Sequence, residues 1–322
     1  MAWTTDDLVA QFRLEAWLAD ADDLGAAGAL LLGDAELRSI VSGRLKVGRE
    51  EHWLFTSDVA ITTVRIRLPR RCLARAVRVL TVVDSAGAEQ PFELVEASEA
   101  WRFGSTGTAT PVRGYLEDDE VVLVASPSSG YSLRFKYLRR PSRLVPVASC
   151  AGINTATSTV LLKMLTASGS APATLTTANA YVDIVKGDEP HSVLFEDRRV
   201  ASYSGSDLTL DAATPIVTAD INSAGNPALP GARVDYVCPR DQTCLPALPA
   251  PLCDVLVSAM VVSYASATTN EKLERSARAK LGERIAAARA IMEPRTSKKP
   301  SLVRHDSPLR MGRFGSRGSR WP

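Results

Sequence analysis

The sequence predicts an α+β protein, with a helical body drawn from both ends of the chain, two inserted antiparallel β domains and an extended basic C-terminal arm. Three observations carry that reading. Apolar residues recur at helical spacing near the amino terminus and again after Pro251, they alternate at a period of two through much of 57–246, and apolar content falls away beyond Pro294. With 322 residues, 45% hydrophobic and 23% charged, the chain can build two or three domains, and wholesale disorder is excluded.

Residues 1–56 read as the N-terminal helical part of the body. Thr4 can accept from an open backbone N–H of a first helix, and Asp7 three residues on favours the positive end of its dipole. Leu8, Phe12 and Trp17 are expected on one face. The Gly-rich run Gly25 to Gly33 is expected to interrupt, with Asp34 capping a second helix whose Leu37, Ile40, Val41 and Leu45 recur at the 3.6-residue period.

Residues 57–146 read as an antiparallel β domain. Val64, Ile66 and Leu68 alternate with arginines; Val77, Val79 and Thr81 alternate with Arg78, Leu80 and Val82; Tyr131, Leu133, Phe135 and Tyr137 alternate with Ser132, Arg134 and Lys136. Turn chemistry separates these runs at Asp84–Gly87, Glu117–Glu120 and Ser126–Gly130. Residues 147–246 read as a second β domain, a small barrel or sandwich. An internal echo supports it: Leu175-Thr176-Thr177 leads to Val182-Asp183-Ile184-Val185, and Leu208-Thr209-Leu210 leads to Val234-Asp235-Tyr236-Val237, with an insertion at 221–231. The bland alternative, that V-D-x-V is a common strand sequence, stays open.

Residues 247–292 form the C-terminal helical part of the body. Leu252, Val255, Leu256, Ala259 and Met260 open an apolar stripe that Leu273, Ala277, Leu281, Ile285, Ala288 and Met292 continue; Thr268-Thr269-Asn270 either caps a new helix or lies on one continuous helix. Lys272, Arg275, Arg278, Lys280 and Arg284, interleaved with glutamates, read as a solvated face. Pro294 ends the helix, and 293–322 is expected to be extended until something holds it.

The net charge of +2 conceals a partition. The arm carries eight basic side chains (Arg295, Lys298, Lys299, Arg304, Arg310, Arg313, Arg317 and Arg320) against Glu293 and Asp306, a net +6, so the preceding 292 residues, with 30 basic and 34 acidic, carry −4. Such asymmetry points to a partner for the tail, with Phe314 and Trp321 available as anchors. The amino terminus is acidic where a signal peptide would be basic, and the longest apolar run, Leu24 to Leu32, is too short for a bilayer span of about 20 residues. No membrane association is therefore expected.

Enzymatic chemistry finds little footing. Cys72, Cys150, Cys238, Cys244 and Cys253 are odd in number and widely spaced, which suits reduced thiols, and the spacing Cys238-x5-Cys244-x8-Cys253 lacks a C-x2-C pair, favouring buried structural thiols over zinc. The histidines are His52, His191 and His305, with no G-x-S-x-G elbow beside them. Neither Gly25–Gly33 nor Gly104–Gly107 has phosphate-loop spacing, and Asp118 with Asp119 fits a solvated hairpin tip. No catalytic residue, metal or cofactor is expected.

Three stretches, taken in order, carry a resemblance. The first runs from Tyr115-Leu116-Glu117 through Val121–Pro127 to Leu133–Val145, with its Y-x-R-R-P-x-R-L-V ending; the second pairs Val182–Gly187 with Val234–Cys238; the third is Pro246-Ala247-Leu248-Pro249 opening a helical region that closes on Pro294-Arg295 and a basic tail. In this order, over about residues 35–310, the chain resembles tailed-bacteriophage head-to-tail adaptor (connector) proteins. The insertion at 221–231 and the ending beyond Arg310 depart from that pattern. The resemblance implies a non-enzymatic virion protein of the neck, between capsid and tail, assembled in the host cytoplasm as a homo-oligomeric, dodecameric ring below the portal protein.

It further implies that Leu37, Ile40, Val41, Leu256, Leu273, Leu281 and Ile285 serve ring packing, and that the basic arm, with Phe314 and Trp321, reaches the portal. The β domains would meet the next tail component, a tail terminator, nozzle or tail hub, and genomic DNA would pass through the channel without sequence-specific binding. Alternatives are another tail or baseplate subunit, a nucleic-acid-binding protein using the basic tail and, last, a β-rich hydrolase.

Overall fold

The computed structural model describes residues 3–18, 24–42, 54–103, 108–165, 175, 177, 180–188, 193–204, 206–213, 216–217, 220–221 and 234–292. Within them the protein is mixed α and β, with helices at both ends of the described chain and antiparallel sheets between.

Helix α1 (Thr5–Ala16) begins as its sequence demands: the Thr4 hydroxyl accepts from the Asp7 N–H while the Asp7 carboxylate accepts from the Thr4 N–H, so two open donors are satisfied reciprocally. Leu8 and Phe12 are buried, but Trp17 takes a left-handed C-cap conformation (φ 58°) that turns its ring out of the apolar face, leaving it 75% exposed. Helix α2 (Ala26–Val41) corrects the expected interruption, because the Gly-rich run lies inside the helix rather than before it. A Cβ at Gly33 would stand 3.0 Å from Leu144 Cδ1, so the small residue permits close approach. Asp34 is mid-helix and buried, not a cap; its Oδ1 accepts from the Leu144 N–H at 2.6 Å. Leu45 lies outside the described residues.

The first β unit comprises β1 (Leu54–Ala60), β2 (Arg65–Arg67), β3 (Cys72–Val83), β4 (Glu89–Pro91), β5 (Glu93–Leu94), β6 (Thr108–Ala109), β7 (Arg113–Glu117), β8 (Glu120–Leu123), β9 (Ser126–Pro127) and β10 (Ser132–Arg139). One sheet runs β1-β10-β3-β4 and a second β2-β8-β7-β5; Phe135, Leu80 and Val82 from the first share a core with Ile66, Val121 and Leu123 from the second. The expected phase of β3 needs correction at one end. Leu80 and Val82 are buried while Val79 is exposed, because a register shift opposite Lys136 and Tyr137 reverses the inward parity within the strand.

After β11 (Arg143–Leu144) the second β unit closes into a barrel of β12 (Ala151–Ala156), β13 (Leu161–Leu165), β14 (Tyr181–Val185), β15 (Val193–Ser204), β16 (Asp207–Leu210) and β17 (Tyr236–Pro239), in the order β12-β13-β16-β15-β14-β17. Closure leaves no open sheet edge, and Ile153, Leu162, Val182, Ile184, Leu208 and Val237 fill the interior. The V-D-x-V echo takes a different form from two similar hairpins: β14 and β17 pair with each other, whereas β16 pairs with β13 and β15. Strand β18 (Gln242–Thr243) follows a tight turn and pairs in parallel with β11.

Helices α3 (Ala250–Ala267) and α4 (Glu271–Met292) settle the choice that the 268–270 segment left open. Asn270 Oδ1 accepts from the Leu273 N–H at 3.1 Å, capping a separate helix, and Arg284 of α4 reaches back to the Asp254 carbonyl of α3. The two form an αα-hairpin. Helix α3, with 18 residues, is long and apolar enough to cross a membrane by length and composition. Leu252, Val255, Leu256 and Met260 are instead buried in a core shared with Leu8 and Phe12 of α1, Leu37 and Ile40 of α2 and Leu273 of α4.

Candidate functional site

Helices from the two ends of the described residues meet in one helical body. Of the residues expected in ring packing, Leu37, Ile40, Val41, Leu256 and Leu273 are buried within the single chain, and Leu281 and Ile285 pack half-buried against the same core. The five enclosed side chains serve the subunit's own core, while Leu281 and Ile285 keep part of their surface exposed. The arm residues Arg295, Lys298, Lys299, Arg304, Arg310, Arg313, Phe314, Arg317, Arg320 and Trp321 lie outside the described residues, as do His52, His191, His305 and nearly all of 221–231.

Among the described residues the body exposes Leu31 of α2, Ile291 of α4 and, at the end of α1, Leu14 and Trp17. The last two form a pair. They border a cleft of about 400 Å³ between α1 and the α3–α4 hairpin, whose polar side carries Gln11, Glu15 and Lys280. Glu15 is the clamp of this region. Its carboxylate receives Arg284 through both terminal nitrogens (2.7 and 3.1 Å), Lys280 at 2.9 Å and Gln11 at 2.9 Å. Burial opposes ionisation of Glu15, but these donors outweigh it and hold the carboxyl below its ordinary value. Lys280 and Arg284 therefore depart from the expected solvated face, since they bind α1 to α4.

A second polar centre joins the two β units. Arg71, in the turn before β3, is 2% exposed; it donates to Ser142 Oγ at 3.0 Å, pairs with the fully buried Asp183 of β14 and contacts Asp241 at 2.9 Å. Asp183 is further satisfied by the N–H groups of Asp197 (2.9 Å) and Asp241 (2.7 Å). Arg70 grips Asp241 with both terminal nitrogens, at 2.7 and 2.9 Å, and reaches Asp197 at 3.0 Å. Arg139 pairs with Glu196 and lies 4.7 Å over the Phe55 ring; burial and the Arg71 charge push its pKa down to about 10, so the guanidinium stays charged at neutral pH. The R-R-P segment and the first V-D-x-V thus meet in one network, which neither stretch reveals alone.

A third centre is made of sulfur. Cys150, just before β12, Cys238 of β17 and Cys244, just after β18, are buried with their Sγ atoms all within 4.8 Å of one another. Val145, Val185 and Leu245 wall them in. Cys150 and Cys238 hydrogen-bond to Cys244 and lower its pKa, making it the most acidic of the three, while burial pushes the Cys238 thiol up. Sequence spacing missed this convergence because the third cysteine comes from a distant segment. Cys72 and Cys253 stand outside it.

No protein-family model matches the chain, and no curated protein matches it. The functional reading therefore rests on geometry. Among the described residues Arg71 is paired with Asp183 and Glu15 with Arg284, and these polar centres join units to one another, an arrangement suited to holding parts in fixed relation.

Proposed function

We propose that the protein is a structural virion protein, a head-to-tail adaptor that forms a ring below the portal, connects capsid to tail and continues the DNA channel. The observation that carries this reading is the placement of the helices from both ends of the described chain: α1 and α2 pack with α3 and α4 in one core, and in the sequence the basic segment follows directly after Met292. An attaching arm on the end of a ring-building body, with β units inserted, agrees with the segment order that resembles the adaptor family. With Leu37, Leu256 and their neighbours enclosed, the subunit contact in this proposal falls to the exposed Leu14 and Trp17 beside the cleft.

The charge partition supports the same assignment. An arm of +6 that orders on docking can wrap a partner surface, and repetition around a ring turns a weak contact into a strong one. A body of −4 suits a conduit through which DNA slides without sticking. The arm's charge equally favours a second reading, direct binding to nucleic-acid phosphates.

The test is electron microscopy and mass measurement of the full chain, alone and with its portal. A ring that forms by itself or on the portal supports the adaptor, and a chain that stays monomeric in both cases refutes it. Deleting 293–322 should abolish portal attachment with the body still folded. If salt-sensitive DNA binding is lost instead, the second reading takes over.

A further inference from the structure

We propose that Cys150, Cys238 and Cys244 form a binding site for a thiophilic metal ion of the zinc class, held through their three sulfur atoms. This goes beyond the adaptor reading and does not depend on it.

Geometry is the first support. Thiolates around a tetrahedral zinc ion, each about 2.3 Å from the metal, sit about 3.8 Å apart. The three Sγ atoms lie within 4.8 Å of one another, so closing on an ion takes side-chain rotations of about 1 Å or less. Buried cysteines that serve only as small apolar residues have no reason to converge, and Cys253, enclosed in the helical core, shows that ordinary placement.

The way the chain delivers the sulfurs is the second. Strand β17 ends in a tight turn at Arg240–Asp241, with Asp241 in the left-handed region (φ 62°), and β18 brings Cys244 back beside Cys238. This turn brings two of the three sulfurs together. Cys150 follows a short helical turn over Val147–Ser149, where its N–H donates to the Val147 carbonyl at 2.9 Å, and supplies the third sulfur.

Electrostatics is the third. Three thiolates with a divalent ion carry a net −1 charge in a pocket walled by Val145, Val185 and Leu245. Helix α1 starts at this point: the Thr5 N–H donates to the Cys244 carbonyl at 2.9 Å, so the positive end of a 12-residue helix abuts the site. Asp6, in the same turn, accepts from the Val147 N–H at 3.4 Å, and a water molecule would complete a four-coordinate ion held by the three sulfurs. On loading, each protonated thiol exchanges its S–H bond for an S–metal bond and releases the proton to solvent, with no change of oxidation state. The ion would staple the entrance and exit of the barrel to the start of α1.

Cobalt(II) is the probe. Titrated under reducing, oxygen-free conditions into the full-length protein, it should bind at one equivalent per chain with thiolate-to-cobalt charge transfer in the near ultraviolet, and zinc should displace it. Zinc at a hundredfold excess over its Kd should raise the melting temperature by about 5 °C or more. Cys244→Ser should abolish the band and Cys253→Ser should retain it. Absence of charge transfer in the wild-type chain overturns the proposal, and so does a band that survives in Cys244→Ser. Because the wild-type titration decides by itself, a variant that fails to fold does not weaken the test.

Discussion

Replacing Arg71 with methionine tests whether the buried charge network holds the two β units together. Methionine keeps much of the side-chain length and removes the guanidinium. Four contacts go: the donation to Ser142, the pair with Asp183 and the approaches to Asp241 and Glu196. Their losses are unequal. Asp241 keeps both nitrogens of Arg70 and Glu196 keeps Arg139, so the charge left without a cation is Asp183, which is fully buried and retains only two backbone N–H donors. Removing one partner of a buried pair costs about 3–5 kcal/mol, and the donors left on Asp183 place this case near the lower end. With a urea dependence of about 1–3 kcal/mol per molar, the unfolding midpoint should fall by about 1 M or more. Hydrogen exchange should localise the loss to β14 and the turn before β3. Arg71→Met combined with Asp183→Asn should cost at least about 2 kcal/mol less than the sum of the single changes. A single-variant cost under about 1 kcal/mol, or additive singles, would mean that the network does not bind the two units.

Three further outcomes follow from the same geometry. Glu15→Gln should cost about 1–3 kcal/mol at neutral pH, and because the folded carboxyl is held below its ordinary value, that advantage is complete above the unfolded pKa of about 4.5 and lost as pH falls through the folded value; melting curves of the two proteins should converge in acid. Gly114→Ala should destabilise the first β unit by about 1–3 kcal/mol, since the added Cβ would stand 2.5 Å from the Val122 carbonyl oxygen and 2.8 Å from Phe92 Cζ; an unchanged midpoint would count against the close packing there. Leu256→Ala should cost about 2–5 kcal/mol of fold stability, whereas Trp17→Ser should leave the melting temperature unchanged and weaken ring assembly, which calorimetry and mass measurement would separate.

The parts of the fold legible in the sequence are those set by short-range rules. The Thr4–Asp7 box can be read because both partners lie within one turn, and the inner faces of β2 and β10 because alternation survives wherever a strand has one buried side. Helix α2 hid its start because glycine signals a break locally, while Gly33 answers a contact with Leu144 far along the chain. The parity of β3 hid because a bulge is set by the partner strand. The polar network and the thiol triad were illegible for the same reason in stronger form: Arg71 and Asp183, or Cys150 and Cys238, become neighbours only once the barrel has closed. Lys280 and Arg284 show the reverse error, since an i,i+4 charge pattern looks solvated until another helix is laid across it.

These long-range contacts converge on residues 238–244. Within that segment Asp241 binds Arg70 and Arg71 of the first β unit, Cys238 and Cys244 border the sulfur pocket at the barrel's end, Gln242 and Thr243 pair with β11, and the Cys244 carbonyl takes the first N–H of α1. One tight turn and its flanking strands therefore touch both β units and the helical body. A protein whose task were to let these units move independently would keep such crossing contacts few and exposed. Here Arg71 and Asp183 are buried, and Asp241 is shared among Arg70, Arg71 and Arg140, so strain applied to one unit passes to the others through paired charges and backbone hydrogen bonds. Rigidity of this kind would serve the proposed adaptor, and an ion at the proposed sulfur site would tie Cys238 and Cys244 of the same segment to Cys150.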